Sequence, residues 1–299
     1  MKSYGICPAS CGEFVQGFLD KEEYLSSYAI DMFSIATLEE KKEIDLGPKK
    51  SRKAIEKVFE KFNIPLEESK NISLNLKSDI PVGKGMASST ADIGATIKAT
   101  LSILNKNLND EEISFMASEI EPTDSIILYE NSIFNPVNGT VKKYLSSIDN
   151  GRVIILEPKG ILETKIIRSN PNYLNIKLEN KSIINKSFDL LEKGLKNNDL
   201  KLIGEACTLS AIANENIHKK PYLNEVIEIS QSMNAYGVNI AHSGTVVGIL
   251  IDENMDYEKI INHLKNQPLS DYYKKIHLAN IIGHEKREEL EWNMLKTLK

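Results

Sequence analysis

At 299 residues, 41% of them apolar and 26% charged, the chain has the make-up of an ordinary globular protein and the length for one large domain or two. A net charge of −5 speaks against general nucleic-acid binding, and three cysteines are too few for a disulfide scaffold. No apolar run reaches the ~18 residues of a membrane span, and the start lacks the apolar stretch of a secretory signal, so a cytoplasmic enzyme is expected.

In chain order, residues 4–7 and 14–19 read as strand on either side of a turn, and alternation over 28–38 predicts more strand. Residues 51–62 form an amphipathic helix with Ser51 in capping position. A half-buried strand at 71–76 leads into a glycine-bearing loop. The helix after it carries Ile93, Ile97, Leu101 and Leu104 at helical spacing. A helix at 110–119 and strands at 126–129 and 152–157 follow. Helices are then expected at 181–196, 199–216 and 221–235, strands at 238–241 and 246–251, a helix at 256–265, and a charged tail after Gly283. This irregular mixture argues an α+β fold rather than a doubly wound sheet. The seam falls between about 140 and 160, which divides the chain into domains 1–150 and 151–299.

The loop, Pro81-Val-Gly-Lys-Gly-Met-Ala-Ser-Ser-Thr-Ala-Asp92, is the most telling segment. The first amides of a helix have no partner within it, and the aligned peptide dipoles leave about half a positive charge there. Gly83 and Gly85 let backbone approach a ligand closely, and Ser88 and Ser89 add hydroxyls. A phosphate group suits such a place. The loop matches neither the Walker pattern nor the dinucleotide glycine pattern, so a nucleotide would be held in another way. Without further residues, the same stretch reads equally as a turn before a buried helix.

Three segments together resemble the GHMP kinases. Residues 81–91 are similar to their second signature, Pro-x-x-x-Gly-Leu-Gly-Ser-Ser-x-Ala. Pro8-Ala-Ser-Cys-Gly-Glu13 with the following residues to Asp20 looks like the first, and Ala241-His-Ser-Gly-Thr-Val-Val-Gly-Ile-Leu250 looks like the third. Within that superfamily the chain most resembles the L-threonine kinases of cobalamin biosynthesis, through the blocks at 7–13, 85–92 and 121–125. The resemblance implies a two-domain fold, with an N-terminal ribosomal-protein-like domain containing a left-handed crossover and a C-terminal ferredoxin-like domain. It implies ATP and Mg²⁺ as cofactors and L-threonine as the small-molecule partner, with no nucleic acid or membrane, and leaves room for a homodimer. Two residues depart from the wider pattern: Met86 stands for leucine and Ala87 for the second glycine. A methyl group at 87 is compatible with amide donation provided its backbone stays helical.

The same resemblance assigns roles. Pro81, Val82, Gly83, Lys84, Gly85, Met86, Ala87, Ser88, Ser89 and Thr90 would hold the nucleotide, with Lys84 either lending charge or merely solvated. Mg²⁺ takes oxygen ligands beside phosphates and waters, and Ser89 or Ser88 with Glu121 is the natural pair. The family pattern favours Ser89, and Glu119 is the reserve ligand. Asp124 is the candidate base for the threonine hydroxyl, against a reading as a turn residue. An amino-acid acceptor needs a carboxylate for its ammonium, and Glu13, Asp20 and Asp31 are the candidates, with Asp31 reading equally as a structural cap or pair. Ser243, Gly244 and Thr245 would close the site from the second domain or simply make a tight turn. His242 has no visible partner and reads as structural.

Overall fold

The computed structural model describes residues 1–41, 46–148, 150–160 and 173–298. Two long antiparallel strands open the chain, β1 (Lys2–Leu19) and β2 (Glu22–Glu40), joined by a tight turn with Asp20 at φ +55°. Their register slips between Pro8 and Ala9 and twice more between Ser10 and Val15. Pro8 has no N–H for the ladder. Gly12 sits at φ +61°, where a Cβ would lie 2.4 Å from the Ile240 carbonyl oxygen. Bulges of this kind bend a strand and increase its twist, and the bent hairpin meets different neighbours along its length. Residues Ser34 to Glu40 of β2 pair with β3 (Ile72–Ser78), while Leu25 faces Phe134 of β4 (Ser132–Asn135), itself paired with β5 (Thr140–Tyr144).

On the other side, Glu13 of β1 pairs with Ile240 of β7 (Gly237–Ile240). Strand β7 forms a hairpin with β8 (Val247–Asp252), and β6 (Gly151–Pro158) lies between β8 and β9 (Tyr273–Asn280). One nine-stranded sheet therefore runs through both halves of the chain, with β1 and β7 at the junction.

The helices are α1 (Lys49–Lys61), α2 (Leu66–Ser69), α3 (Ser88–Ile103), α4 (Asp110–Ser118), α5 (Tyr173–Glu179), α6 (Lys181–Asn197), α7 (Leu200–Asn214), α8 (Leu223–Ser232), α9 (Tyr257–Lys265) and α10 (His284–Leu298). Helix α3 lies flat on β1 because Ala91, Ala95 and Ala99, spaced four apart, are all buried. A Cβ at Gly5 would stand 2.0 Å from the Ala95 carbonyl oxygen. The core beneath α3 continues under α6 and α7 through Phe188, Leu191 and Ile203, while Ile154, Val238, Ile249 and Leu264 centre a second core.

Several expectations are corrected. Residues 125–127 form a short 3-10 turn, not strand. Arg287, instead of a neighbouring strand, donates to the carbonyls of Ile126, Ile127 and Leu128. Ser51 lies within the first turn of α1, and Pro48 holds the cap position. Strands β4, β5 and β9 and helices α2 and α5 are additions. The charged tail is α10, which buries Arg287 completely. No helix among the described residues is long and apolar enough to cross a membrane.

Candidate active site

The glycine loop alternates in hand. Gly83, Gly85 and Ala87 have φ of +71°, +83° and +55°, and Lys84 and Met86 between them do not share this left-handed region. Such alternation turns successive N–H groups toward one concavity. The carbonyls are held from behind. Lys84 O accepts from Thr245 N (2.8 Å) and Val246 N (3.1 Å), Gly85 O from Gly12 N (3.1 Å), and Met86 O from Ser10 N (3.3 Å). With its acceptors spent on β1 and on the β7–β8 turn, the loop offers donors on its other side. Helix α3 opens directly after it, and no side chain caps its first amides.

The three signature-like segments of the sequence meet at this loop. Gly85 and Gly244 touch back to back: a Cβ on Gly85 would lie 2.7 Å from Gly244 Cα, and one on Gly244 would lie 2.3 Å from Gly85 Cα. Ser243, Gly244 and Thr245 form the tight β7–β8 turn, closed by Gly244 N donating to Ala241 O at 3.2 Å. Lys84 is neither solvated nor free for phosphate. Its buried ammonium donates to the carbonyls of Pro158 and Gly160 and lies 3.7 Å from Glu157. Ala87 is also not in the helical region, so the condition attached to its methyl group is unmet; it takes the left-handed conformation that a glycine adopts without strain.

Beside the first turn of α3, Ser89 Oγ donates to Glu121 Oε1, and Lys50 Nζ lies 2.5 Å from Glu121 Oε2 and 3.2 Å from Ser89 Oγ. A cation thus already rests on the two oxygens singled out as metal ligands. Ser88 Oγ makes no hydrogen bond among the described residues. Glu119 stands apart, exposed and paired with Lys57 at 3.3 Å.

Asp124 is buried one turn away. Its amide donates to Thr90 Oγ1 (3.3 Å), which also accepts from Thr123 Oγ1 (3.2 Å), so Thr90 braces this segment within the interior. Burial, and then the charge of Glu13, push the Asp124 carboxyl up to about 7; the Ser27 hydroxyl and the amides of Ser125 and Ile126 pull the other way. Oδ1 of Asp124 has no hydrogen-bond partner among the described residues. Behind it, Arg287 grips Ile126 O (2.8 Å) and Leu128 O (2.7 Å) and pairs with Glu291 at 2.8 Å.

Glu13 completes the cluster. Its Oε2 accepts from both the backbone N and Nδ1 of His242, each at 2.9 Å, and His242 Nε2 meets Ser210 Oγ at 2.9 Å. His242 therefore has partners on both nitrogens.

Residues 49–129 match the model for the GHMP kinases N terminal domain, and residues 191–270 match that for GHMP kinases C terminal. The L-threonine kinase of Salmonella typhimurium is 31% identical over 92% of each chain. The chain belongs to the GHMP kinases. The L-threonine kinase of Citrobacter freundii is 28% identical, over 92% of this chain and 96% of its own. The crystal structure of homoserine kinase from Cytophaga hutchinsonii superposes with a TM-score of 0.70 at 19% identity, covering 94% of this chain and 95% of that one.

As a GHMP kinase the protein phosphorylates a small alcohol, and its two-domain mixed α/β fold brings Ser89, Glu121, Asp124 and Glu13 around the loop and the start of α3. Two acidic candidates lie elsewhere. Asp20 is exposed at the hairpin tip and paired with Lys142 at 2.8 Å. Asp31 accepts from Asn280 N (2.8 Å) and Nδ2 (2.5 Å), tying β2 to the end of β9. The linear sequence concealed Lys50, 39 positions before Ser89, and the Glu13–His242 pair, whose members are 229 positions apart. The Glu13–Ile240 pairing of β1 with β7, together with the Asn239 side chain bonded to the Cys11 and Glu13 carbonyls, brings that second pair together.

Proposed function

We propose that this GHMP kinase transfers the γ-phosphoryl group of ATP to the side-chain hydroxyl of L-threonine, yielding O-phospho-L-threonine and ADP. The observation that carries the reading is a buried, partly orphaned carboxylate, Asp124, beside an uncapped helix start. The two relatives that align over nine-tenths of the chain and are named L-threonine kinase support the acceptor.

The triphosphate rests on the loop amides and the first turn of α3, where donors are preset and cost no reorganisation. The acceptor hydroxyl lies against Asp124, which takes its proton as the oxygen–phosphorus bond forms and the bond to the β-phosphate bridging oxygen breaks. A carboxyl near 7 is well matched to that exchange at neutral pH. Ser89 and Glu121 are oxygen donors of the type Mg²⁺ takes beside phosphates, and the Lys50 ammonium bound to both supports a cation there. When bound, Mg²⁺ neutralises phosphate charge. The product would supply the aminopropanol linker of the corrinoid nucleotide loop.

The test is ATP consumption over a panel of L-threonine, L-homoserine, L-serine and mevalonate. L-Threonine is expected to be used well and the others poorly. Strong preference for homoserine would replace the acceptor, and no turnover with any alcohol would sink the kinase reading for this chain.

A further inference from the structure

Lys220 is a buried cation that the site described above does not use. It lies between α7 and α8, is 2% exposed, and its ammonium has no hydrogen-bond partner among the described residues. Burying an ammonium without a partner is expensive, and such groups persist where something else requires them. The backbone around it is firmly fixed. Lys220 N donates to Glu215 Oε1 at 2.7 Å, and the carbonyl of the next residue, Pro221, accepts from the Tyr273 hydroxyl at 2.7 Å.

Its neighbours place it at the active site. Asn214 at the end of α7 donates to the His242 carbonyl at 3.3 Å, joining this segment to Glu13 and to the turn whose Gly244 packs against Gly85 of the phosphate loop; Glu13 and Glu215 act on Lys220 electrostatically, and Lys220 acts on His218. Burial drives His218 down to about 4, so it stays neutral and does not compete for an anion. Glu13 favours the charged form of Lys220 but forms no ion pair with it within 4 Å among the described residues. Both bonds from His242 fall on Oε2 of Glu13, and Oε1 carries no hydrogen bond among the described residues. A carboxylate and an amine that burial lowers to about 7, against the pull of Glu13 and Glu215, thus lie near one another without touching, beside the phosphoryl site.

An α-amino acid has the complementary layout, an ammonium and a carboxylate on one carbon. We propose that Lys220 receives the α-carboxylate of the acceptor while Glu13 receives its ammonium, His242 fixing the Glu13 carboxylate in place. This deepens the threonine reading and rests on it. It makes the pair the specificity element that turns a small-alcohol kinase toward zwitterions, and the bound acceptor supplies the partners that each charge lacks.

The experiment compares wild type, Lys220→Met, Lys220→Arg and Glu13→Gln on three acceptors. These are L-threonine, 1-aminopropan-2-ol (threonine without its carboxylate) and 3-hydroxybutyrate (threonine without its amine). Lys220→Met is expected to raise the KM for threonine roughly 100-fold, the cost of removing one partner from a buried charged hydrogen bond. Its KM for ATP should stay within about threefold of wild type, and its use of 1-aminopropan-2-ol should match wild type. Lys220→Arg should recover part of the threonine affinity. Glu13→Gln should show the converse ranking, harming 1-aminopropan-2-ol more than 3-hydroxybutyrate, on top of a loss common to all acceptors because it also removes the charge beside Asp124. Without ligand, Lys220→Met should melt no lower than wild type, since it removes an unpaired buried charge. Threonine KM unchanged in Lys220→Met, equal losses on all three acceptors, or a raised KM for ATP would overturn the inference while leaving threonine kinase activity standing. A wild type that ignores threonine and works on carboxylate-free alcohols would overturn the proposed function, and the inference with it.

Discussion

Replacing Asp124 by asparagine should make the protein more stable and far less active. Burial and the Glu13 charge raise this carboxyl from an ordinary 3.8 to about 7. A group whose native pKa lies above its unfolded value binds more protons in the native state between the two, so stability falls as pH rises through that window. A rise of this size corresponds to about 4 kcal/mol of native-state cost at pH 7. The uncharged amide of Asp124→Asn would carry no such cost. The stability difference between variant and wild type should therefore be near zero at about pH 4 and grow toward about 4 kcal/mol at pH 7. His218, driven down to about 4, titrates with the opposite sign over part of this range, but it is common to both proteins and cancels in the difference. Urea denaturation at several pH values reads the difference, and steady-state turnover should fall by roughly 10²–10⁴-fold, the usual worth of a general base. A stability difference that does not change with pH would refute the burial argument, and near-normal turnover would remove Asp124 as base.

Four further outcomes are expected. Ala87→Gly relieves a left-handed alanine and should be neutral to about 1 kcal/mol stabilising, read from the urea midpoint, with the KM for ATP little changed. Gly85→Ala would drive a Cβ to 2.3 Å from that of Ala241 at φ +83°, and should cost about 2–3 kcal/mol and raise the KM for ATP. Glu121→Gln should raise the Mg²⁺ concentration for half-maximal rate by roughly tenfold or more, measured by Mg²⁺ titration at saturating ATP. Arg287→Met takes the nearest cation from buried Glu291, leaving it Lys98 and the Tyr129 hydroxyl, and frees the carbonyls behind Asp124. It should lower stability by about 3–5 kcal/mol in thermal melts.

The parts of this protein that were legible in its sequence are those set by local chemistry. The glycines at 83 and 85 and the hydroxyls after them declare a loop that turns into a helix, and periodicity over Ile93, Ile97 and Leu101 declares the helix itself. Ser89, Glu121, Asp124 and Glu13 were each nameable because they sit in recognisable blocks, and the structure brings them together. Short strands such as β4 and β5 were not legible, since pairing partners and not intrinsic pattern make a four- or five-residue strand. Nor was the turn at 125–127, where Arg287 of the last helix takes the carbonyls that a neighbouring strand would otherwise bind.

Charge was where sequence alone misjudged most. Lys84 looks like a free or phosphate-facing charge in the chain and is spent on backbone carbonyls, Asp31 takes the structural pairing that was one of its two readings, and Lys50, which belongs to no recognisable block, bonds Ser89 and Glu121. A residue's type sets what it is able to bond, and that much is written in the linear order. Whether it meets water, a partner or nothing depends on which distant segments the sheet brings alongside, as where β1 meets β7 and Glu13 finds His242.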